Sequence, residues 1–124
     1  MMQKPPSGKQ LFFPGMRYAL KSRSSNCFLD GRTNNGEMAL MTSDNPNCNQ
    51  QLHWDLEYCD DGYISIKSVS SGGYLDGRNE SIVECLVTKR NPHNDKYLNW
   101  KIEECDGYLT FKCKSNGHYL DGRA

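Results

Sequence analysis

The chain has 124 residues, with 15 basic and 15 acidic side chains and no formal net charge. That length suits one domain rather than two. The charge balance argues against a protein of nucleic acid or of anionic membranes, either of which would show a basic excess. Only 36% of residues are hydrophobic, so a small core under long polar loops is expected. No apolar run approaches the roughly 20 residues of a membrane span. The opening MMQKPPSGKQ lacks the apolar stretch of a secretory signal, which points to a cytoplasmic protein with free thiols. Its six cysteines are Cys27, Cys48, Cys59, Cys85, Cys105 and Cys113. Cys27 and Cys48 would be placed to pair across a hairpin only in an exported chain.

From Met16 onward the sequence repeats itself. MRYALKSRSSNCFLDGR, YISIKSVSSGGYLDGR and YLTFKCKSNGHYLDGR share one pattern, and their Asp-Gly-Arg tripeptides begin at Asp30, Asp76 and Asp121. A second pattern recurs 46 residues apart, Leu52-His53-Trp54-Asp55-Leu56-Glu57 and Leu98-Asn99-Trp100-Lys101-Ile102-Glu103. Thr42, Asn45, Pro46 and Cys59 recur at that same offset as Thr88, Asn91, Pro92 and Cys105. The repeats run over about 16–62, 63–107 and 108–124.

Each repeat predicts short strands. The first alternates apolar and polar residues around Tyr18 and Leu20, Ile64 and Ile66, Leu109 and Phe111, the period-two pattern of a half-buried strand. Turns rich in Ser, Asn and Gly follow. Second strands carry Phe28, Tyr74 and Tyr119, and Asp-Gly then predicts another tight turn. Third strands are expected near Met38–Thr42 and Val83–Thr88, and fourth strands at Trp54–Leu56 and Trp100–Ile102. The third repeat stops at Ala124 before its third and fourth strands. Residues 1–13 precede the repeats, and Lys9–Phe13 would form a substitute strand if it paired with Met16–Leu20 across Pro14-Gly15. The alternatives are a second chain donating strands, giving a homo-oligomer, or a truncated sequence that folds poorly.

No window shows a helical period, so the class is all-β. A propeller needs at least four blades, more than the chain supplies. Three-fold repetition fits a β-trefoil. Asn26–Arg32 with Asn49–Leu56, and Gly72–Arg78 with Asp95–Ile102, resemble the ricin-B type of β-trefoil, the R-type lectins. The resemblance covers residues 14–124. Two positions depart from it: leucine (Leu52, Leu98) stands where those lectins carry the Gln of Q-x-W, and Met41-Thr42 and Val87-Thr88 stand near their aromatic sugar platform. The L-K-S…F/Y-L strands also resemble the fascin and hisactophilin trefoils, which bind actin.

The R-type resemblance implies carbohydrate binding by a non-catalytic domain, with a glycan or glycoprotein as partner. It places Asp30, Asp76 and Asp121 where those lectins use a carboxylate on sugar hydroxyls. One carboxylate suits two vicinal hydroxyls, being a bidentate acceptor. The simpler alternative is a hairpin turn in which the aspartate caps its own backbone. Arg32 and Arg78 follow two residues on, as does Arg123. They would pair with the aspartate or a ligand oxygen, or lie as surface charges of little energetic weight. Gln51 and Tyr97, just before the Leu-x-Trp motif, fall near a lectin's polar site residue. Trp54 and Trp100, at equivalent strand positions, are expected in the core. His53, His93 and His118 are not repeat-equivalent, so no metal site is expected and surface positions are. No cofactor fingerprint and no hydrolase, metalloprotease or nucleotide motif occurs. The fascin-type resemblance leaves actin or another protein as the alternative partner.

Overall fold

The computed structural model describes residues 10–32, 37–78, 86–93 and 95–120, with the backbone alone at 37, 38, 60 and 86. Asp121 and Arg123, and the first half of the expected strand Val83–Thr88, lie outside them. Among the described residues ten strands form: β1 (Arg17–Ala19), β2 (Phe28–Asp30), β3 (Glu37–Met38), β4 (Leu40–Thr42), β5 (His53–Tyr58), β6 (Ile64–Ser68), β7 (Tyr74–Asp76), β8 (Leu86–Thr88), β9 (Trp100–Cys105) and β10 (Tyr108–Cys113). No α-helix occurs among the described residues, and no helix is long and apolar enough to cross a membrane. The architecture is the all-β trefoil that the repeats predict.

Strands β1, β5, β6, β9 and β10 pair in that order, every pair antiparallel. Long hairpins alternate with short contacts. Between β5 and β6 the register runs from Trp54↔Ser68 to Tyr58↔Ile64. Between β9 and β10 it runs from Trp100↔Cys113 to Cys105↔Tyr108. The contacts β1–β5 and β6–β9 are short, and equivalent residues meet in them, Tyr18↔Trp54 and Ile64↔Trp100. Both long hairpins reverse on Asp-Gly. Asp61 and Gly62 have φ of 59° and 78°, and Asp106 and Gly107 have 52° and 82°. In the second hairpin, where Cys105 pairs with Tyr108, this left-handed pair matches the twist of a two-residue loop; in the first it lies within the wider loop closed by Cys59 N donating to Tyr63 O.

The remaining strands cap this ribbon. β2 pairs with β4 and β7 with β8, while β3 reaches across to β8. The third strand expected as one piece over Met38–Thr42 is therefore split at Ala39, because its two halves serve different partners. In the third repeat Tyr119 bridges to Lys112, and Leu120 N donates to Phe111 O.

Apolar side chains of β2 and β5–β10 meet in one core of Leu29, Trp54, Leu56, Ile64, Ile66, Leu75, Val87, Trp100, Phe111 and Cys113. Both tryptophans are fully buried, as their repeat positions predict. Burial pushes the Cys113 thiol above its usual pKa. Cys27, Cys48, Cys105 and Cys113 are free thiols. Residues 10–13 form no strand. Their Pro14-Gly15 turn does form, with Gly15 at φ 86° and Met16 N donating to Phe13 O at 3.2 Å. Proline then glycine at these places is the chemistry of a type II turn. The expected strand pairing across it is replaced by a side-chain contact: Phe12 enters the core and its ring centroid lies 4.9 Å from that of Tyr58.

Candidate functional site

Each of the first two Leu-Asp-Gly-Arg segments leaves the end of a second strand and docks on a short 3-10 turn. Gly31 N donates to Gln51 O and Gly77 N to Tyr97 O, both at 2.9 Å. The turns are Gln50–Leu52 and Lys96–Leu98. Beneath the strand end, Trp54 Nε1 donates to Leu29 O at 3.0 Å and Trp100 Nε1 to Leu75 O at 3.1 Å. The glycines do not make the tight left-handed turn that Asp-Gly suggests, since neither has positive φ. They are buried instead where no Cβ fits. A Cβ at Gly31 would lie 2.8 Å from the ring edge of Trp54, and one at Gly77 would lie 2.8 Å from Cys113 Sγ.

This close docking buries the aspartates. Asp30 and Asp76 are both 0% exposed, and a buried carboxylate must be paired and hydrogen-bonded to persist. In the first repeat Arg32 N donates to Asp30 Oδ1 at 2.9 Å, so the aspartate does cap its own backbone. Arg32 Nε donates to Oδ2 at 2.8 Å. Arg32 Nη2 then reaches Asp44 at 3.3 Å. In the second repeat Arg78 N donates to Asp76 Oδ1 at 2.9 Å and Arg78 Nε to Oδ2 at 2.8 Å. Arg78 Nη2 reaches Asp95 at 2.6 Å. Each of the first two repeats thus builds an Asp–Arg–Asp triad. The hydrogen bond and charge of Asp30, reinforced by Asp44, hold the Arg32 guanidinium more firmly protonated than usual. Partial burial works against protonation of Arg78, but its bonds to Asp76 and Asp95 outweigh it and raise the pKa.

The two pockets differ in openness. Arg32 and Asp44 are about half exposed, at 50% and 49%, against 29% and 16% for Arg78 and Asp95. Tyr97 accounts for part of this, since the Arg78 guanidinium lies 4.7 Å over its ring. Gln51 holds the equivalent place in the first repeat and is half-buried. The structure therefore brings Asp30, Arg32 and Gln51 together, and separately Asp76, Arg78 and Tyr97. The aspartates are the buried inner layer of each site, and the arginines and second acids form the outer one.

Asp44 and Asp95 escape sequence reasoning because they are not repeat-equivalent. The counterpart of Asp95 is Asn49, and that of Asp44 is Arg90. Asp95 also caps its 3-10 turn, accepting from Tyr97 N at 3.0 Å. His53 likewise departs from the surface position expected for it. Its Nε2 lies 2.6 Å from Pro46 O, and Asn99 Nδ2 donates to Pro92 O at 2.8 Å in the equivalent place. Both pin the Asn-Pro turn beside a pocket. Among the described residues no cluster of three or more His, Cys, Asp or Glu is placed to hold a metal.

One hydroxyl separates the pockets energetically. Thr88 Oγ1 donates to Asp76 Oδ2 at 3.1 Å, whereas the equivalent Thr42 Oγ1 is buried with no hydrogen-bond partner among the described residues. Thr88→Val is therefore expected to cost about 1–2 kcal/mol, because a buried carboxylate loses a donor. Thr42→Val is expected to be within about 0.5 kcal/mol of neutral. Thermal denaturation of the two variants side by side measures this, and equal losses would mean that Thr42 also serves Asp30 in solution.

The model of the family described as "Ricin-type beta-trefoil lectin domain-like" matches residues 49–124. Among solved structures, an exo-β-1,3-galactanase from Clostridium thermocellum is 27% identical, over 83% of this chain and 23% of its own, with a TM-score of 0.68. An endo-β-galactosidase from Clostridium perfringens that releases GlcNAcα1-4Gal is 24% identical over 82% of this chain, with a TM-score of 0.69. The chain spans about a quarter of that enzyme's length, 24%. A designed three-fold symmetric protein, ThreeFoil, is 22% identical over 82% of this chain and 74% of its own, with a TM-score of 0.70. No curated protein matches the chain. With its family model spanning more than half of the sequence and its repeats folded as a trefoil, this chain belongs to the ricin-type β-trefoil lectin domain-like family.

Proposed function

We propose that this protein binds carbohydrate without catalysing a reaction, through its two Asp–Arg–Asp pockets. One observation carries the reading: two repeat-related sites on a lectin-family trefoil each hold a guanidinium fixed between carboxylates at the surface. Fixed donors beside fixed acceptors match the alternating donor and acceptor character of vicinal sugar hydroxyls. Asp30 and Asp76, fully buried, position Arg32 and Arg78 rather than meet the ligand. Contact falls to the arginines, to Asp44 and Asp95, to the Tyr97 ring in the second pocket and to Gln51 in the first. Asp121 would build a third pocket. The partner is a glycan or glycoprotein, and two weak sites on one domain would act together on a multivalent glycan. Two of the similar structures are enzymes that act on galactose-containing glycans, which makes such glycans the first ligands to try.

A glycan array probed with the wild type and with Arg32→Ala and Tyr97→Ala tests this. The expected result is binding to at least one glycan, weakened about tenfold or more by each substitution, roughly the loss of a charge-assisted hydrogen bond or a ring contact. Circular dichroism shows whether each variant stays folded. A folded wild type that binds no glycan overturns the reading and leaves the triads as turn-locking structures.

A further inference from the structure

We infer that Asn116 is a positioning residue for Arg78, and Ser68 for Arg32, so that each pocket is held in shape by the repeat that follows it. The inference rests on the carbohydrate reading and adds to its sites two residues that hold an arginine in place without meeting the ligand.

The peptide that joins glycine to arginine carries the geometry of each pocket. Its N–H, on Arg32 or Arg78, donates to the buried aspartate at 2.9 Å. Its carbonyl, on Gly31 or Gly77, points the opposite way, because the peptide is planar and trans. That carbonyl meets the next repeat. Ser68 Oγ, at the end of β6, donates to Gly31 O at 3.3 Å. Asn116 Nδ2, in the turn after β10, donates to Gly77 O at 2.7 Å. A planar unit held at both edges cannot rotate without breaking one of the two bonds. The arginine side chain leaves from the Cα at the end of that unit, so its direction is set by both.

The two donors come from positions that do not correspond. Cys113 stands at the place of Ser68. Both lie against the pocket glycine: a Cβ on Gly77 would be 2.8 Å from Cys113 Sγ, and one on Gly31 would be 2.5 Å from Ser68 Oγ. A thiol is a weak donor, and that of Cys113 is directed at Lys96 O and Tyr97 O, at 3.9 and 3.8 Å. Asn116 in turn stands at the place of Ser71. Both shape their turn in the same way, accepting from the backbone N–H two residues on: His118 N at 3.0 Å and Gly73 N at 3.2 Å. A serine suffices for that turn. The asparagine adds an amide that reaches back to Gly77 O. Where cysteine replaces one serine, asparagine replaces another, and the glycine carbonyl keeps a donor from the following repeat in both pockets.

Hydrogen exchange of the Arg32 and Arg78 backbone amides, followed by NMR, tests the positioning without a ligand. Asn116→Ala is expected to lower the protection of Arg78 N–H about three- to tenfold, the worth of one hydrogen bond to local opening, and to leave Arg32 N–H unchanged. Ser68→Ala is expected to do the reverse, and either variant decides by itself if the other does not fold. Adding Cys113→Ser to Asn116→Ala gives the second pocket the donor of the first, and should return Arg78 protection to within about twofold of the wild type. A glycan array then reads the pocket. With the first pocket disabled by Arg32→Ala, Asn116→Ala should weaken the remaining binding about three- to tenfold, and Cys113→Ser should recover it. Protection lost equally at Arg32 and Arg78 would be a general loss of stability and overturns the inference. Arg78 protection or glycan binding left unchanged by Asn116→Ala overturns it too, and leaves the carbohydrate reading intact. A folded wild type that binds no glycan overturns the carbohydrate reading, while the exchange result still decides the positioning.

Discussion

Trp54→Ala and Trp100→Ala are each expected to remove about 4–5 kcal/mol of folding stability, measured by urea denaturation followed by far-UV circular dichroism. Burial accounts for most of this, since truncating a buried Trp costs about 3–5 kcal/mol. Both side chains are essentially sealed from solvent. The lost indole donor adds about 1 kcal/mol, because the carbonyls of Leu29 and Leu75 would be left without it. A small domain is stable by only about 5–15 kcal/mol, so either variant is expected to be largely unfolded at 37 °C. Phenylalanine separates the two contributions: it keeps most of the volume and loses the donor, at about 1–2 kcal/mol. An alanine variant that lost under about 2 kcal/mol would show that the core repacks around the gap.

Gly31→Ala is expected to destabilise the fold by about 1–3 kcal/mol while removing no atom. Its new Cβ would lie 2.5 Å from Ser68 Oγ, 2.7 Å from Ser68 Cβ and 2.8 Å from the Trp54 ring. At least one of these groups must move, and forced shifts in a packed core cost about 1–3 kcal/mol, occasionally more. Gly77→Ala meets Cys113 Sγ at 2.8 Å and Trp100 at 3.1 Å, so it should cost less. Because Asp30 and Arg32 flank Gly31, the first substitution should also weaken the first pocket. Ser68→Gly is the control: added to Gly31→Ala, it removes two of the three clashes and should recover part of the stability. No recovery would place the strain at Trp54 alone.

These two residues show how far the sequence speaks for the fold. Trp54 and Trp100 were legible as core because they recur at one offset inside alternating strands. At Asp61-Gly62 and Asp106-Gly107 the reason for the glycine is local, a positive φ. Gly31 and Gly77 look the same in sequence, but their reason is a side chain more than twenty residues away, which no local pattern carries. The site divides in the same manner. Repetition exposed Asp30, Arg32, Asp76 and Arg78, and it hid Asp44 and Asp95, which meet the arginines from unmatched positions. Repetition also marked Leu52 and Leu98, which are fully buried under the docking turns. The role of Phe12 stayed hidden because it belongs to no repeat, and its burial depends on Tyr58 and the strands that close around it.

The alternation of long hairpins with short contacts has a consequence for how the chain is put together in time. Each long hairpin, β5 with β6 and β9 with β10, straddles the boundary between two sequence repeats, whereas the contacts within a repeat are the short ones. The segment copied in sequence is therefore half a step out of phase with the segment that closes the most hydrogen bonds over the fewest residues. Local hairpins close before distant contacts repay their loop entropy. Folding is thus expected to begin astride the repeat boundaries, at Asp61-Gly62 and Asp106-Gly107. The pockets, which need a strand end, a turn and a distant tryptophan in place, complete last.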